Sequence, residues 1–128
     1  MEFTLKAHFK AATKEVYTAW LTSEMHSAMT GGEAEVTDGV GDLFSAWDGY
    51  ILGRNLELEP YKRIVQSWRT TEFEDEDPDS KLEIILVEND GETTLILHHT
   101  QLPENGENYK KGWDEFYFRP MKAYFESK

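Results

Sequence analysis

The stretch from Glu104 to Phe125 constrains everything that precedes it. Trp113, Phe116, Tyr117, Met121, Tyr124 and Phe125 recur at the i, i+3, i+4 spacing of one helical face, while Lys110, Lys111, Glu115, Arg119 and Lys122 fall mostly on the other. The pattern predicts one helix about 30 Å long at ~1.5 Å per residue. A stripe so rich in Trp, Tyr and Phe must be covered by a broad apolar surface, and a sheet is the element that offers one. Asn105 is placed to cap the first turn, with Glu107 near the positive end of the dipole. Pro120 removes one i to i−4 hydrogen bond, so a bend is expected there. Gly112, costly in mid-helix by ~1 kcal/mol against Ala, is expected to permit close approach to a strand beside Trp113. Two readings of the aromatic face stand side by side: packed core, or in part the roof of a ligand cavity.

From Glu2 to Lys10 the chain alternates, with Phe3, Leu5, Ala7 and Phe9 on one side and Glu2, Thr4, Lys6, His8 and Lys10 on the other. That period of two is a half-buried strand. Thr13 is positioned to cap a short helix through Leu21, with Val16, Ala19 and Trp20 inward. Thr22 or Ser23 can cap a second helix to about Met29, ended by Gly31-Gly32. From Glu33 the turn residues assign the chain. Asp38-Gly39 and Gly41-Asp42 flank one turn, and Asp48-Gly49 separates Leu43–Trp47 from Tyr50–Leu58. Glu59-Pro60-Tyr61 precedes Arg63–Thr71, and Asn89-Asp90-Gly91 joins Leu82–Val87 to Thr93–Gln101. Parallel neighbours would need crossovers of a dozen residues, so the strands form an antiparallel meander. Glu72 to Lys81, acidic around Pro78, is read as a solvated hairpin tip rather than a metal loop.

The expected order is one strand, two short helices, six strands and the long helix. The expected fold class is therefore α+β: a curved antiparallel β-sheet of about six or seven strands gripping a long C-terminal helix, in a single domain over residues 1–128. When such a sheet curves more than its side chains fill, a cavity opens between helix and sheet.

Thirteen Lys plus Arg against twenty-five Asp plus Glu give a net charge of −12, which disfavours nucleic acid and anionic membranes as partners. With no cysteine, disulfides and thiolate zinc sites are excluded. The amino terminus lacks a basic region followed by an apolar run, and no apolar stretch is long enough for membrane insertion, so a cytoplasmic location is expected.

Three segments carry a family resemblance. They are Trp47-Asp48-Gly49-Tyr50-Ile51-Leu52-Gly53, the run Leu58-Glu59-Pro60-Tyr61-Lys62-Arg63-Ile64-Val65-Gln66-Ser67-Trp68-Arg69, and the end from Gly112-Trp113 through Tyr117-Phe118 and Pro120 to Tyr124-Phe125. With Val16-Tyr17-Thr18-Ala19-Trp20 in the first helix, the chain resembles the activator of heat-shock-protein-ninety ATPase homologue domain. That domain belongs to the helix-grip, START-like superfamily of lipid-transfer domains, plant pathogenesis proteins and polyketide cyclases. The resemblance implies that fold and a binding role in a cavity or on a surface. In eukaryotic co-chaperones the domain follows a separate amino-terminal domain that makes the main chaperone contact, for which this sequence has no counterpart.

The expected function is non-catalytic binding of a small hydrophobic or amphipathic ligand between helix and sheet. The lining candidates are Trp20, Phe44, Trp68, Trp113, Phe116, Tyr117 and Met121, and the polar anchors are Gln66 and His99. Gln66 shares a strand face with Ile64 and Trp68; a ligand or an internal partner would satisfy it. Arg54 could hold an anionic head group or face outward. His98 and His99 point to opposite faces of a strand and cannot share a metal. No Ser/His/Asp or Cys/His set can be assembled, and Gly39-Val40-Gly41 precedes a strand rather than a helix, so neither an enzyme nor a nucleotide cofactor is expected. The alternatives are a co-chaperone-like module docking an acidic surface on a chaperone and, third, a cyclase-like enzyme.

Overall fold

The computed structural model describes residues 1–127. The elements are β1 (Phe3–Phe9), α1 (Thr13–Trp20), α2 (Ser23–Thr30), β2 (Leu43–Ala46), β3 (Ile51–Glu59), β4 (Arg63–Thr70), β5 (Ser80–Asn89) and β6 (Glu92–Thr100). A continuous C-terminal helix then runs as α3 (Glu107–Gly112), a π-helical segment (Trp113–Phe118) and α4 (Arg119–Glu126). The six strands form one sheet in the order β1-β6-β5-β4-β3-β2, with every neighbouring pair antiparallel. β1 and β2 lie at opposite edges, so α1 and α2 are the connection that crosses the sheet's width. The segment from Glu33 contributes only an isolated bridge, Glu35 to Ser45, rather than a further strand.

The inward rows follow from the period of two. Ile64, Leu82, Ile84, Leu95 and Leu97 are almost completely buried, and Phe9, Met29 and Met121 close over them. β3 bends at a bulge between Asn55 and Glu57. Beside it Gly53 pairs with Trp68, and a Cβ there would lie 2.0 Å from the Ser67 carbonyl oxygen and 2.5 Å from the Phe44 ring. Only glycine allows Phe44 to lie flat on this strand.

The helix starts differ from the sequence expectation. Thr13 is the first residue of α1, and its N–H and hydroxyl both donate to the Glu88 carboxylate of β5. Thr22 occupies the N-cap position of α2, but its hydroxyl donates back to the Thr18 carbonyl at 2.7 Å. Ser23 instead ties the backbone of Val36 in both directions. Asn105 makes no cap, because Gly106 holds the N-cap position of a helix that begins at Glu107.

At Pro120, where the sequence predicts a bend, the chain inserts the π segment. Pro120 has no N–H, and its ring would crowd the carbonyl of Phe116 in α geometry. The wider turn relieves this, with the Arg119 N–H bonded to the Asp114 carbonyl, five residues back. The extra residue rotates the face. Phe118 takes a buried place, Phe116 is turned to 52% exposure, and Tyr124 is half-buried, while Trp113, Tyr117, Met121 and Phe125 stay inside. Gly112 approaches no strand: a Cβ there would meet only the Phe116 ring, at 3.8 Å.

Candidate functional site

Between the first half of the C-terminal helix and the β2–β3 end of the sheet lies an open cleft of about 520 Å³. From the sheet side it is lined by Trp47, Tyr50, Ile51, Trp68 and Glu72; Asn105 comes from the turn before the helix, and the helix contributes Asn108, Tyr109, Gly112, Trp113, Phe116 and Tyr117. The helix residues share one face at 3.6-residue period, and Gly112 leaves the middle of that face open.

The sheet wall is set by a turn with consecutive left-handed residues, Trp47 (φ 53°), Asp48 (φ 58°) and Gly49 (φ 88°). Left-handed backbone is unfavourable for a bulky residue such as Trp and persists where neighbours fix it. Here Asp48 donates its N–H to the Glu33 carbonyl at 2.9 Å and accepts the Glu33 N–H on Oδ1 at 3.2 Å. Trp47 then lies over Gly32, where a Cβ would come within 2.4 Å of the indole. Its indole N–H is buried without a hydrogen-bond partner among the described residues. The ring meets Phe116 edge to face, with centroids 5.8 Å apart.

The floor is an aromatic cluster around Trp113. That ring is 5.7 Å from Trp68, 6.2 Å from Trp20, 4.8 Å from Tyr117 and 5.8 Å from His99. A directional relay fixes it. The Trp113 indole can only donate, and it does so to Nδ1 of His99 at 3.0 Å. Nε2 of His99 therefore carries the proton and donates to the Ser80 hydroxyl at 2.9 Å, which donates in turn to the Trp68 carbonyl at 2.6 Å. Burial pushes His99 down to about 3, so it stays neutral. A second relay runs from the Tyr117 hydroxyl to Nε2 of His26 (3.0 Å), whose Nδ1–H donates to the Trp20 carbonyl at 2.8 Å. Burial raises the Tyr117 phenol and lowers His26, keeping both neutral.

The rim is polar. Tyr50 donates its hydroxyl to the Glu72 carboxylate, and burial followed by this bond raises the Tyr50 phenol. Tyr109 and Thr70 share a hydroxyl–hydroxyl bond of 2.6 Å. Among the described residues, Glu72 is the one charged side chain of the lining, which includes no Lys, Arg or His.

Of the residues singled out in the sequence, Trp68, Trp113, Phe116 and Tyr117 come together on the cleft. Trp20, Phe44, Gln66, His99 and Met121 do not line it; they are buried behind its floor. Gln66 finds internal partners, accepting from the Trp20 indole at 3.4 Å and donating to Asn55 Oδ1 at 2.9 Å. His98 faces the other side of the sheet, bonded to Thr4, and the exposed Arg54 donates to the Gly41 carbonyl. Sequence reasoning missed Trp47, Tyr50, Glu72, Asn105, Asn108 and Tyr109. Asn108 and Tyr109 would have emerged from extending the 3.6-residue period back from Trp113; Trp47 and Tyr50 depend on the turn conformation and had no comparable signal.

A curved antiparallel sheet closed on a C-terminal helix, with a cleft between them, is the helix-grip class of α+β domain. Residues 10–126 match the family described as activator of Hsp90 ATPase homolog 1-like protein, and the chain belongs to that family. It is 29% identical over 125 residues to the human activator of 90 kDa heat shock protein ATPase homolog 1, covering 97% of this chain and 37% of the human protein. The chain thus spans little more than a third of that relative. Among solved structures it resembles an HSP90 activator from Plasmodium falciparum (TM-score 0.88, 22% identity, 96% of this chain and 94% of that one). It also resembles a protein from Mesorhizobium loti (TM-score 0.84, 15% identity, 100% and 98% covered). At such identities these two structures establish the fold alone.

Proposed function

We propose that the protein is a non-catalytic binding module that takes a small hydrophobic or amphipathic molecule into the cleft between helix and sheet. The observation that carries this is the 520 Å³ opening walled by Trp47, Trp68, Trp113 and Phe116. Its size falls within the ~300–1,000 Å³ range of small-molecule sites, and its walls are apolar with few polar groups, as in such sites. The two buried histidines support a role without catalysis. Each uses both ring nitrogens inside the protein, and neither lines the cleft. The test is a two-dimensional amide and indole NMR titration of labelled protein against sterols, flavonoids, fatty acids and apolar amines. Saturable shifts are expected at Trp68, Tyr109, Trp113 and Phe116; a flat response to the whole panel refutes the reading.

Membership of a family whose relatives are named as activators of a chaperone ATPase favours a second reading, supported by the −12 charge. Here the protein docks an acidic surface on a basic patch of a chaperone of the 90 kDa class. Retention of that chaperone on immobilised protein should weaken between 50 mM and 500 mM salt. No retention at low salt eliminates it.

A further inference from the structure

We propose that the cleft selects a small organic cation: an alkylated ammonium group on an apolar or aromatic body, held over the rings and balanced by Glu72. The inference rests on the reading of the cleft as a ligand site and adds the charge of the ligand.

The distribution of charge is the first support. Among the described residues, Glu72 is the one charged group on the lining. The roofing helix carries cations but presents them elsewhere: Lys110, Lys111 and Arg119 line a separate groove with Leu5, Glu107 and Asp114. There Arg119 donates to the Asp114 carboxylate at 2.9 Å. Arg69, near Glu72 in sequence, is also engaged. Its guanidinium donates to the Asp79 carboxylate and to the carbonyls of Glu74 and Asp77, and it lies 5.3 Å from the Phe73 ring centroid. An anionic ligand would meet a like charge and no counter-charge. A cation would meet the Glu72 carboxylate, one oxygen of which accepts from Tyr50.

Ring geometry is the second. Aromatic faces attract cations within about 6 Å of their centroids, and an alkylated ammonium suits a box of rings because it offers no N–H to satisfy. Trp68 stands at 83° to Tyr109 and at 37° to Trp113, and Trp47 at 73° to Phe116. The rings pack on one another at these inclinations, and of them Phe116 is the most open to a ligand. A purely apolar ligand would use the same rings but gain nothing from the Glu72 carboxylate.

The test compares three benzyl probes by NMR titration of the full chain: benzyltrimethylammonium, its uncharged carbon isostere neopentylbenzene, and the anion phenylacetate. The expected result is saturable binding of the cation, roughly fivefold or more tighter than the isostere, with phenylacetate weakest. Glu72→Gln, which keeps an acceptor for Tyr50, should bring cation and isostere to within about twofold while leaving the isostere unchanged. Equal affinities in the unsubstituted protein, or a preference for phenylacetate, overturn the charge assignment and leave the cleft as a site. A preference for the cation that survives Glu72→Gln overturns the role of Glu72. No shifts from the cation at millimolar concentration, nor from the isostere up to its aqueous solubility, overturn the inference, and a flat response to the wider ligand panel as well overturns the reading beneath it.

Discussion

Acidification should weaken this fold through His99, and the size of the effect follows from its surroundings. In the unfolded chain His99 titrates near 6.5; in the folded protein burial holds it at about 3. Above 6.5 neither state binds the proton, so stability is unaffected. Between 6.5 and 3 the unfolded state takes up a proton that the folded state refuses, and stability falls as the pH falls. One such group contributes a loss of about 2–3 kcal/mol at pH 4.5 relative to pH 8, at ~1.4 kcal/mol per pH unit. His26, lowered by burial, acts in the same direction. The loss is large against the ~5–15 kcal/mol total of a small domain. Urea unfolding at pH 8, 6.5, 5.5 and 4.5 measures it, with His99→Gln as the control. The variant should be weaker at pH 8, by ~1–3 kcal/mol for the relay it breaks, and should lose about 2–3 kcal/mol less on going to pH 4.5. The reasoning fails if the variant keeps the full pH dependence. Nitrogen NMR showing the His99 proton on Nδ1, or a midpoint near 6.5 in the folded protein, would also refute it.

Three further outcomes can be checked together. Gly112→Ala should raise stability by about 0.5–1 kcal/mol in thermal unfolding, since the new Cβ meets only Phe116 at 3.8 Å, whereas Gly112→Leu should retain the fold and abolish ligand-induced shifts by filling the cleft. Gly53→Ala should cost about 2–4 kcal/mol in urea unfolding, because its Cβ has nowhere to go between the Ser67 carbonyl and Phe44. Glu88→Ala, which removes the remote carboxylate at the start of α1, should cost ~1 kcal/mol and fray that helix, visible as faster amide exchange at Thr13.

Strand placement was legible because alternation and turn residues are local: Phe3, Leu5, Ala7 and Phe9 face inward as the period of two requires. Turn residues from Asp48-Gly49 to Asn89-Asp90-Gly91 marked the hairpins found in the sheet. Helix caps were less legible, since Thr13 and Ser23 found partners on β5 and at Val36 that no local rule supplies. Phe116 and Phe118 exchanged roles because a fixed 3.6-residue period cannot register a π turn. Periodicity also reports which face a residue occupies but not its depth. Trp20, Gln66 and His99 share the interior with Trp68 and Trp113, yet sit a layer below the cleft; the sequence carries no measure of that layer. The His26–Tyr117 relay joins residues 91 positions apart, beyond any local pattern.

The π segment means that the two halves of the C-terminal helix are phased independently of each other. Trp113 and Tyr117 are set by the first half, Met121 and Phe125 by the second, and the widened turn carries the offset between them. Straightening Trp113–Phe118 into uniform α-helix at its present length would turn Met121 and Phe125 about 100° away from the sheet, whereas deleting one residue together with the wide turn would keep them in phase with Trp113. The segment therefore works as a splice that absorbs one residue of length. Helix regularity and residue number are coupled here, and a change in one alone would cost the domain its seal.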